Sequence, residues 1–367
     1  GTATMAAAAS PSCWILLAMA SSAWAMPRTA PKLWCTTTVD YSAANRYCAT
    51  NYMRAEPYFA HQAREELIYD ARAGVYDEDR GDVWDARLVR CGFELRAMPC
   101  AVSDWESTAQ VRMLYAPQLR ELIEEALSAD GSSVSDIAFW NPMLRGEGWT
   151  AEDVAAHAPG AQGGTTSRST IAGVAHLDTD MVPYTRDPEA LARLVDRNSI
   201  EALDEGQPPS GAPLTERGQA LAASIRQGRR FAIVNAWRNI DPSSPVLRAP
   251  LAVLATRYAR DRPGGRPLVV PEGSPCPEES RWYAFPHMTS DEVLLFKQYD
   301  RAVEQPSDIW HCALPAVQAD DVEAPPRRSF EMRALVIFDQ HVPGASDRFG
   351  GDAAPRVVVA QPSSGDA

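Results

Sequence analysis

Short apolar stretches bounded by polar and turn-forming residues fill the second half of the chain. Phe231 to Trp237, Leu251 to Ala255, Val293 to Tyr299 and Ser329 to Phe338 each read as a strand, where successive side chains on extended backbone point to opposite faces. Trp282-Tyr283-Ala284-Phe285 and Val293 to Tyr299 flank a turn at Thr289-Ser290-Asp291-Glu292. Other stretches carry the helical period. Leu119, Leu122, Ile123 and Leu127 share one face of a segment from Tyr115 to Leu127, and Leu191, Leu194 and Val195 do the same after Asp187-Pro188. A further helix is expected over Thr215 to Arg226, past the Gln207-Pro208-Pro209-Ser210-Gly211 loop. Upstream, Arg87 to Cys91 is expected to run on as a strand into Gly92 to Arg96, and Val134 to Trp140 to be a strand leading into Asn141-Pro142. Residues 158 to 169 and 260 to 280, rich in turn-forming residues, read as connections.

Many short strands separated by turns after residue 170 predict a mainly β protein with α additions, a double-stranded β-helix or jelly roll. The expected organisation is a leader over 1–29, an N-terminal α/β region over 30–157 and the β-helix over 158–340. A helical insert at 187–228 is expected to pack outside the barrel, and residues 341–367 to form a disordered tail. The leader runs Ala-rich from Met5 through Trp14-Ile15-Leu16-Leu17 to Ala23-Trp24-Ala25, an A-x-A-like cleavage pattern without a basic start. Its apolar core is too short to span a bilayer. It reads as a cleaved targeting segment, with a cytoplasmic location as the alternative.

Composition narrows the classes of function. Across 367 residues the chain is 45% hydrophobic and 23% charged, ordinary for a soluble globular protein. A net charge of −13 without a basic cluster argues against nucleic-acid binding. Seven cysteines form no CxxC pair, which argues against a zinc ribbon. Cys35/Cys48 and Cys91/Cys100 are candidates either for disulfides or for reduced buried thiols, and Cys312 for a core position facing away from its neighbour His311.

The candidate chemistry starts at Gly173-Val174-Ala175-His176-Leu177-Asp178. On extended backbone His176 and Asp178 present an imidazole and a carboxylate side by side, with Leu177 turned away. Two such ligands and one distant histidine make a 2-His-1-carboxylate triad that holds Fe(II) and leaves positions open for chemistry. The candidates for the third ligand are His287, at the mouth of a turn, and His311, in the apolar stretch Ile309-Trp310-His311-Cys312-Ala313-Leu314; the latter is preferred. Sixteen residues after His311 comes Arg327-Arg328-Ser329. On a strand the Arg327 guanidinium and the Ser329 hydroxyl lie on one face and can bind a carboxylate together, as the distal carboxylate of 2-oxoglutarate requires.

Taken in order, His176-Leu177-Asp178, Val234-Asn235-Ala236-Trp237-Arg238, Trp282-Tyr283, Asp291 to Asp300 and Pro326 to Val336 resemble the fungal hydroxylase/desaturase family related to cephalosporin 7α-methoxylase. The resemblance covers roughly residues 85 to 338 and is most specific at Asp291-Glu292-Val293-Leu294-Leu295-Phe296-Lys297. It implies an Fe(II)/2-oxoglutarate-dependent dioxygenase that hydroxylates or desaturates a small-molecule metabolite of secondary metabolism with O2. His176, Asp178 and His311 would then ligate iron, and Arg327 with Ser329 would anchor 2-oxoglutarate. Trp237, Arg238 and Tyr283 are candidates for shaping the substrate pocket, the alternative being core positions for the two aromatics and a surface ion pair for Arg238. A cupin-like metalloenzyme that does not use 2-oxoglutarate and a catalytically silent binding protein of the same fold are the other readings.

Overall fold

The computed structural model describes residues 30–40, 63–77, 82–157, 165–178, 187–255, 281–302, 307, 309–315 and 323–342. The expected leader, the 260–280 loop and the tail beyond Pro343 lie outside these residues, as do Cys13, Cys48 and Cys276. Cys91 and Cys100 are both free thiols.

Thirteen strands are described: β1 (Leu33–Asp40), β2 (Ala63–Asp70), β3 (Val75–Asp77), β4 (Asp82–Trp84), β5 (Phe93–Ala97), β6 (Val134–Gly146), β7 (Ser167–Thr170), β8 (Arg229–Asn239), β9 (Leu251–Ala255), β10 (Arg281–Ala284), β11 (Glu292–Asp300), β12 (His311–Ala313) and β13 (Arg328–His341). A six-stranded sheet runs β5-β11-β8-β13-β6-β7, a five-stranded sheet runs β1-β2-β10-β9-β12, and β3-β4 is a separate hairpin. The two large sheets face each other. Phe93, Trp237, Leu294 and Phe296 of the first meet Leu251, Val253 and Tyr283 of the second in one buried cluster. This is the double-stranded β-helix expected from the strand pattern.

The faces of the six-stranded sheet follow from strand parity. On β8, Ala232, Val234 and Ala236 point outward with Val293 and Leu295 of β11 and Phe330, Met332 and Ala334 of β13. Helix α2 (Ala116–Ser128) covers that face with Leu119, Leu122, Ile123 and Leu127. Each such side chain stabilises by about 1.5–3 kcal/mol when fully buried. The opposite, inward face is divided. Its far half, with Ala138, Trp140, Phe231, Ile233, Leu335 and Ile337, is covered by α3 (Pro188–Arg197) and α5 (Glu216–Arg226). The helices start where short polar side chains cap them: Asp187, Ser199 (for the intervening α4, Ile200–Glu205) and Thr215 each accept a first-turn N–H. The insert thus lies on the same sheet face as the interior, beside it, and not over the outer face, which α2 occupies.

The strands of residues 30–157 are built into both large sheets, β1 and β2 into one and β5 and β6 into the other. Two expectations are corrected here. Leu88–Cys91 is one turn of helix, α1, not the first half of a strand. The buried Glu94 carboxylate accepts the Leu88 N–H and pairs with Arg87, while Gly92 at φ +86 ends the turn in the left-handed region. Finally, β6 does not stop at Asn141-Pro142. Asn141 adopts φ +53 there, and the register against β13 slips between Glu331 and Arg333. The bulge exchanges the faces of β6, so that Leu144 joins the outer core while Arg145 points inward to Glu331.

A buried charge cluster closes one end of the outer face. Arg230 makes two bonds to Asp300 at 3.0 and 2.9 Å, and Lys297 reaches the same carboxylate at 3.3 Å. Burial lowers the pKa of Lys297, and Asp300 only partly offsets this. Removing one member of a buried charge set costs on the order of 3–5 kcal/mol when it leaves charges uncompensated. Asp300→Ala removes the carboxylate that both cations share and should cost that much, whereas Lys297→Met leaves Asp300 paired with Arg230 and should cost less than half as much. Urea denaturation midpoints of the two variants check this order; equal losses would contradict it.

Candidate metal centre

The segment carrying His176 is extended but short, and backbone bonds hold it on both sides. Ala175 N–H donates to Asp40 O at 2.7 Å, while His176 and His311 exchange backbone bonds at 3.0 and 3.1 Å. His311 pairs with Val253 in the β12–β9 register and so shares its inward face. Leu177 and Cys312, one residue removed from the histidines, both join the cluster on the outer side of the small sheet.

Three side chains therefore converge in the interior. His176 Nε2 lies 3.7 Å from Asp178 Oδ1, and His311 Nε2 lies 3.6 Å from Asp178 Oδ2. One ligand atom from each of the three fits within 4.8 Å of the others. Metal–ligand bonds of about 2.0–2.2 Å place neighbouring donors roughly 3 to 4 Å apart, so the set is dimensioned for one ion. The rings are already oriented for it. His176 Nδ1 meets the Val174 carbonyl at 2.8 Å and His311 Nδ1 meets that of Ile309 at 3.3 Å. A carbonyl only accepts, so each Nδ1 is the donor there and each Nε2 is the nitrogen turned toward Asp178. Phe296 packs on the His311 ring at 4.8 Å between centroids.

Asp178 is compensated as a buried carboxylate must be. Its side chain is only 4% exposed, and Arg333 pairs with Oδ1 at 2.9 Å while Asn235 donates to Oδ2. Burial raises its pKa, but Arg333 and the two imidazoles outweigh this and hold the carboxyl well below the usual range. Burial and the neighbouring His176 lower His311, so it is neutral at pH 7.

A second polar group lies along the same face. Arg327 is 4% exposed and Ser329 fully buried, both beside Trp237, whose ring lies 5.4 Å from the Arg327 guanidinium carbon. The guanidinium donates to the Ala249 carbonyl, yet its Nε has no partner, and neither do Ser329 Oγ and Trp237 Nε1. Among the described residues no carboxylate reaches the guanidinium within hydrogen-bond distance. Burial and Arg145 push its pKa down to about 9, so it stays charged at neutral pH. A buried cation, a hydroxyl and an indole N–H left without acceptors suit an anionic group. Next along the strand, Glu331 takes a two-fold contact from Arg145 at 2.8 Å.

The other candidates divide. Trp237 faces the interior. Arg238, one residue on, faces outward, where its guanidinium lies 5.0 and 5.4 Å from the rings of Trp105 and Tyr115 and donates to Ser290 O; strand alternation removes it from the pocket. The Tyr283 hydroxyl accepts the Tyr76 N–H at 3.1 Å within the inter-sheet core, and burial pushes its pKa up to about 12, so it is a packing residue. His287 is exposed in a turn at φ +54, away from the other two ligands. Asn235, Gln298, Glu331 and Arg333 were missed by the sequence reading. One signal was available: Arg327, Ser329, Glu331 and Arg333 recur at every second position up to the apolar run Ala334 to Phe338.

Jelly roll and triad together define the class of a mononuclear metal-centred oxidoreductase. The sequence model of a family described as an oxidoreductase/YMDC permease-like domain matches residues 214–337; among the described residues no helix is long and apolar enough to cross a membrane. Over 293 residues the chain is 26% identical to the hydroxylase/desaturase efuI of Hormonema carpetanum, covering 74% of this chain and 86% of that protein. It is 33% identical over 132 residues to the alpha-ketoglutarate-dependent dioxygenase tstK of Talaromyces stipitatus, covering 33% and 45%. It is 30% identical over 166 residues to the Fe(II)/2-oxoglutarate-dependent dioxygenase nvfI of Aspergillus novofumigatus, covering 42% and 58%. The solved structure of the iron and alpha-ketoglutarate-dependent endoperoxidase NvfI aligns over 83% of this chain and 98% of that one, at 19% identity and a TM-score of 0.48. These matches make the chain similar to fungal proteins described as a hydroxylase/desaturase and as Fe(II)/2-oxoglutarate-dependent dioxygenases.

The pKa directions give a test of the site without its metal. A histidine held below 6.5 in the fold takes up its proton later than in the unfolded chain. Its contribution is therefore complete above pH 6.5 and is lost as the pH falls below it. Asp178 behaves likewise around 3.8, its ordinary value. Metal-free protein should melt at a constant temperature between pH 8 and 7 and at falling temperatures below 6.5, and His311→Gln should flatten the first part of that fall. Melting curves that stay flat down to pH 5 would contradict the arrangement.

Proposed function

We propose that the protein is an Fe(II)/2-oxoglutarate-dependent dioxygenase that hydroxylates or desaturates a small-molecule metabolite. One observation carries this: the His176, Asp178 and His311 donors meet in the interior, and on the same face Arg327 and Ser329 keep buried hydrogen-bonding groups without partners. Fe(II) and 2-oxoglutarate, when bound, supply the activation of O2 and the oxidation of an unactivated C–H bond.

The residues of the chain supply binding and shelter. His176 and His311 offer Nε2 lone pairs, and Asp178 stays ionised through Arg333, which matches a divalent cation. Arg327 and Ser329 take the far carboxylate of the co-substrate, and the missing acceptors of Arg327 Nε and Ser329 Oγ are then satisfied. Trp237 beside Arg327 and Phe296 beside His311 supply buried apolar surface to the site. The cupin-like alternative leaves the buried Arg327 guanidinium without a purpose.

Hydrogen bonds to charged groups are worth about 1.5–3 kcal/mol. Arg327→Ala should therefore weaken 2-oxoglutarate binding about tenfold to a hundredfold while Fe(II) affinity stays within about twofold, since the guanidinium is not a ligand. Lysine should restore only part, because a point charge lacks the planar fork. Titration of 2-oxoglutarate into the iron-loaded protein, followed by its metal-to-ligand absorption band, measures the constant, and succinate formation without added substrate measures turnover. An unchanged constant, or no band in either protein, would remove 2-oxoglutarate from the reading.

A further inference from the structure

The block Asp291 to Asp300 is the most distinctive stretch of the sequence, and iron and co-substrate binding leave most of it unused. In the structure it is β11, and its pairing with β8 slips between Lys297 and Tyr299. Two residues of β11 there oppose a single step of β8, a bulge. Its effect is visible on both faces. Lys297 and Asp300, three apart, meet on the outer side. Tyr299 stacks on Phe231 at 5.0 Å in the helix-covered half of the inward face. Gln298, the residue before it, also points inward, toward the metal centre.

The Gln298 carboxamide is 3% exposed, and both of its ends are engaged. Its Oε1 accepts the backbone N–H of Asp178 at 2.9 Å, and its Nε2 donates to the carbonyl of Ile309 at 2.9 Å. That Ile309 carbonyl also faces His311 Nδ1, and Ile309 N–H donates to Lys297 O at 3.1 Å. One side chain of the large sheet thus ties together the two separate ligand-bearing segments beside the small sheet. Both segments are short: β12 has three residues, and among the described residues the 176 segment joins its neighbours through the isolated bridges Asp40–Val174 and His176–His311 and the Ala313 N–H bond to Ala172 O.

We propose that Gln298 is a positioning residue that sets the distance and orientation between Asp178 and His311, and thereby metal affinity. It touches neither metal nor co-substrate; it acts through the backbones of two ligand segments. The amide is suited where an acid is not. One end must accept and the other must donate, and a carboxylate offers no donor to the Ile309 carbonyl. The proposal rests on the reading of His176, Asp178 and His311 as metal ligands.

The test uses Co(II), whose visible bands report ligand geometry, in place of Fe(II). Co(II) dissociation constants, band positions and metal-free melting temperatures would be measured for wild type, Gln298→Met and Gln298→Glu. Methionine keeps the volume and loses both bonds; glutamate keeps the acceptor for Asp178 and loses the donor. Support for groups that orient ligands is typically worth 10–100-fold in metal affinity. The methionine variant should bind Co(II) about tenfold to a hundredfold more weakly with shifted bands, at temperatures where it is fully folded, and the glutamate variant should lie between. A lowered melting temperature with wild-type constant and bands would make Gln298 a packing residue and overturn the proposal. If methionine does not fold, the glutamate variant decides: a wild-type constant there overturns it as well. Failure of wild type itself to bind Co(II) would overturn the triad reading instead, so the two failures are separate.

Discussion

A carboxylate placed between two sheets has to be compensated, and the site is built around that requirement at Asp178. Arg333 pairs with one oxygen, Asn235 donates to the other, and Gln298 accepts the backbone N–H. These partners come from β13, β8 and β11, three neighbouring strands of the large sheet, while the ligand segment itself lies beside the small one. The centre therefore exists only where the sheets face each other. Its charge balance also prepares it for a cation: the carboxylate stays ionised against the pull of burial, and His311 stays neutral because of burial.

Period-two alternation sorts the rest of the chemistry. From Arg327, just before β13, through Ser329, Glu331 and Arg333 on it, polar side chains line the interior, while Phe330, Met332 and Ala334 pack under α2. The same inward series then becomes Leu335 and Ile337, where α3 and α5 take over the covering. This stretch thus carries a buried guanidinium and hydroxyl, a buried ion pair, the partner of Asp178 and helix-facing core in sequence. The change from polar to apolar falls within one face, and the insert packs on its apolar half.

Two bulges adjust this plan. At Asn141 the positive φ switches the faces of β6, which turns Arg145 inward to Glu331. At Gln298 the slip in register lets consecutive side chains serve the centre and the helix-covered core. Both are local departures from alternation, and both occur where a polar side chain must reach the interior.

The sequence by itself determined what depends on local geometry. Short apolar runs bounded by turns located β8, β9, β11 and β13, helical spacing located α2 and α3, and His176-x-Asp178 with Arg327-x-Ser329 put chemically matched pairs on common faces. It did not separate the inward Trp237 from the outward Arg238, because two neighbours in a strand differ only in which sheet face lies toward the other sheet. It mistook Leu88–Cys91 for strand, since the acceptor that caps that turn, Glu94, acts through a fold of the chain back on itself. It also missed Asn235, Gln298 and Arg333, whose roles depend on which residue lies opposite across the interior. Only tertiary structure decided those, because a buried polar group acquires its function from the partners packing brings to it, and those partners lie 57, 120 and 155 positions from Asp178 in the chain.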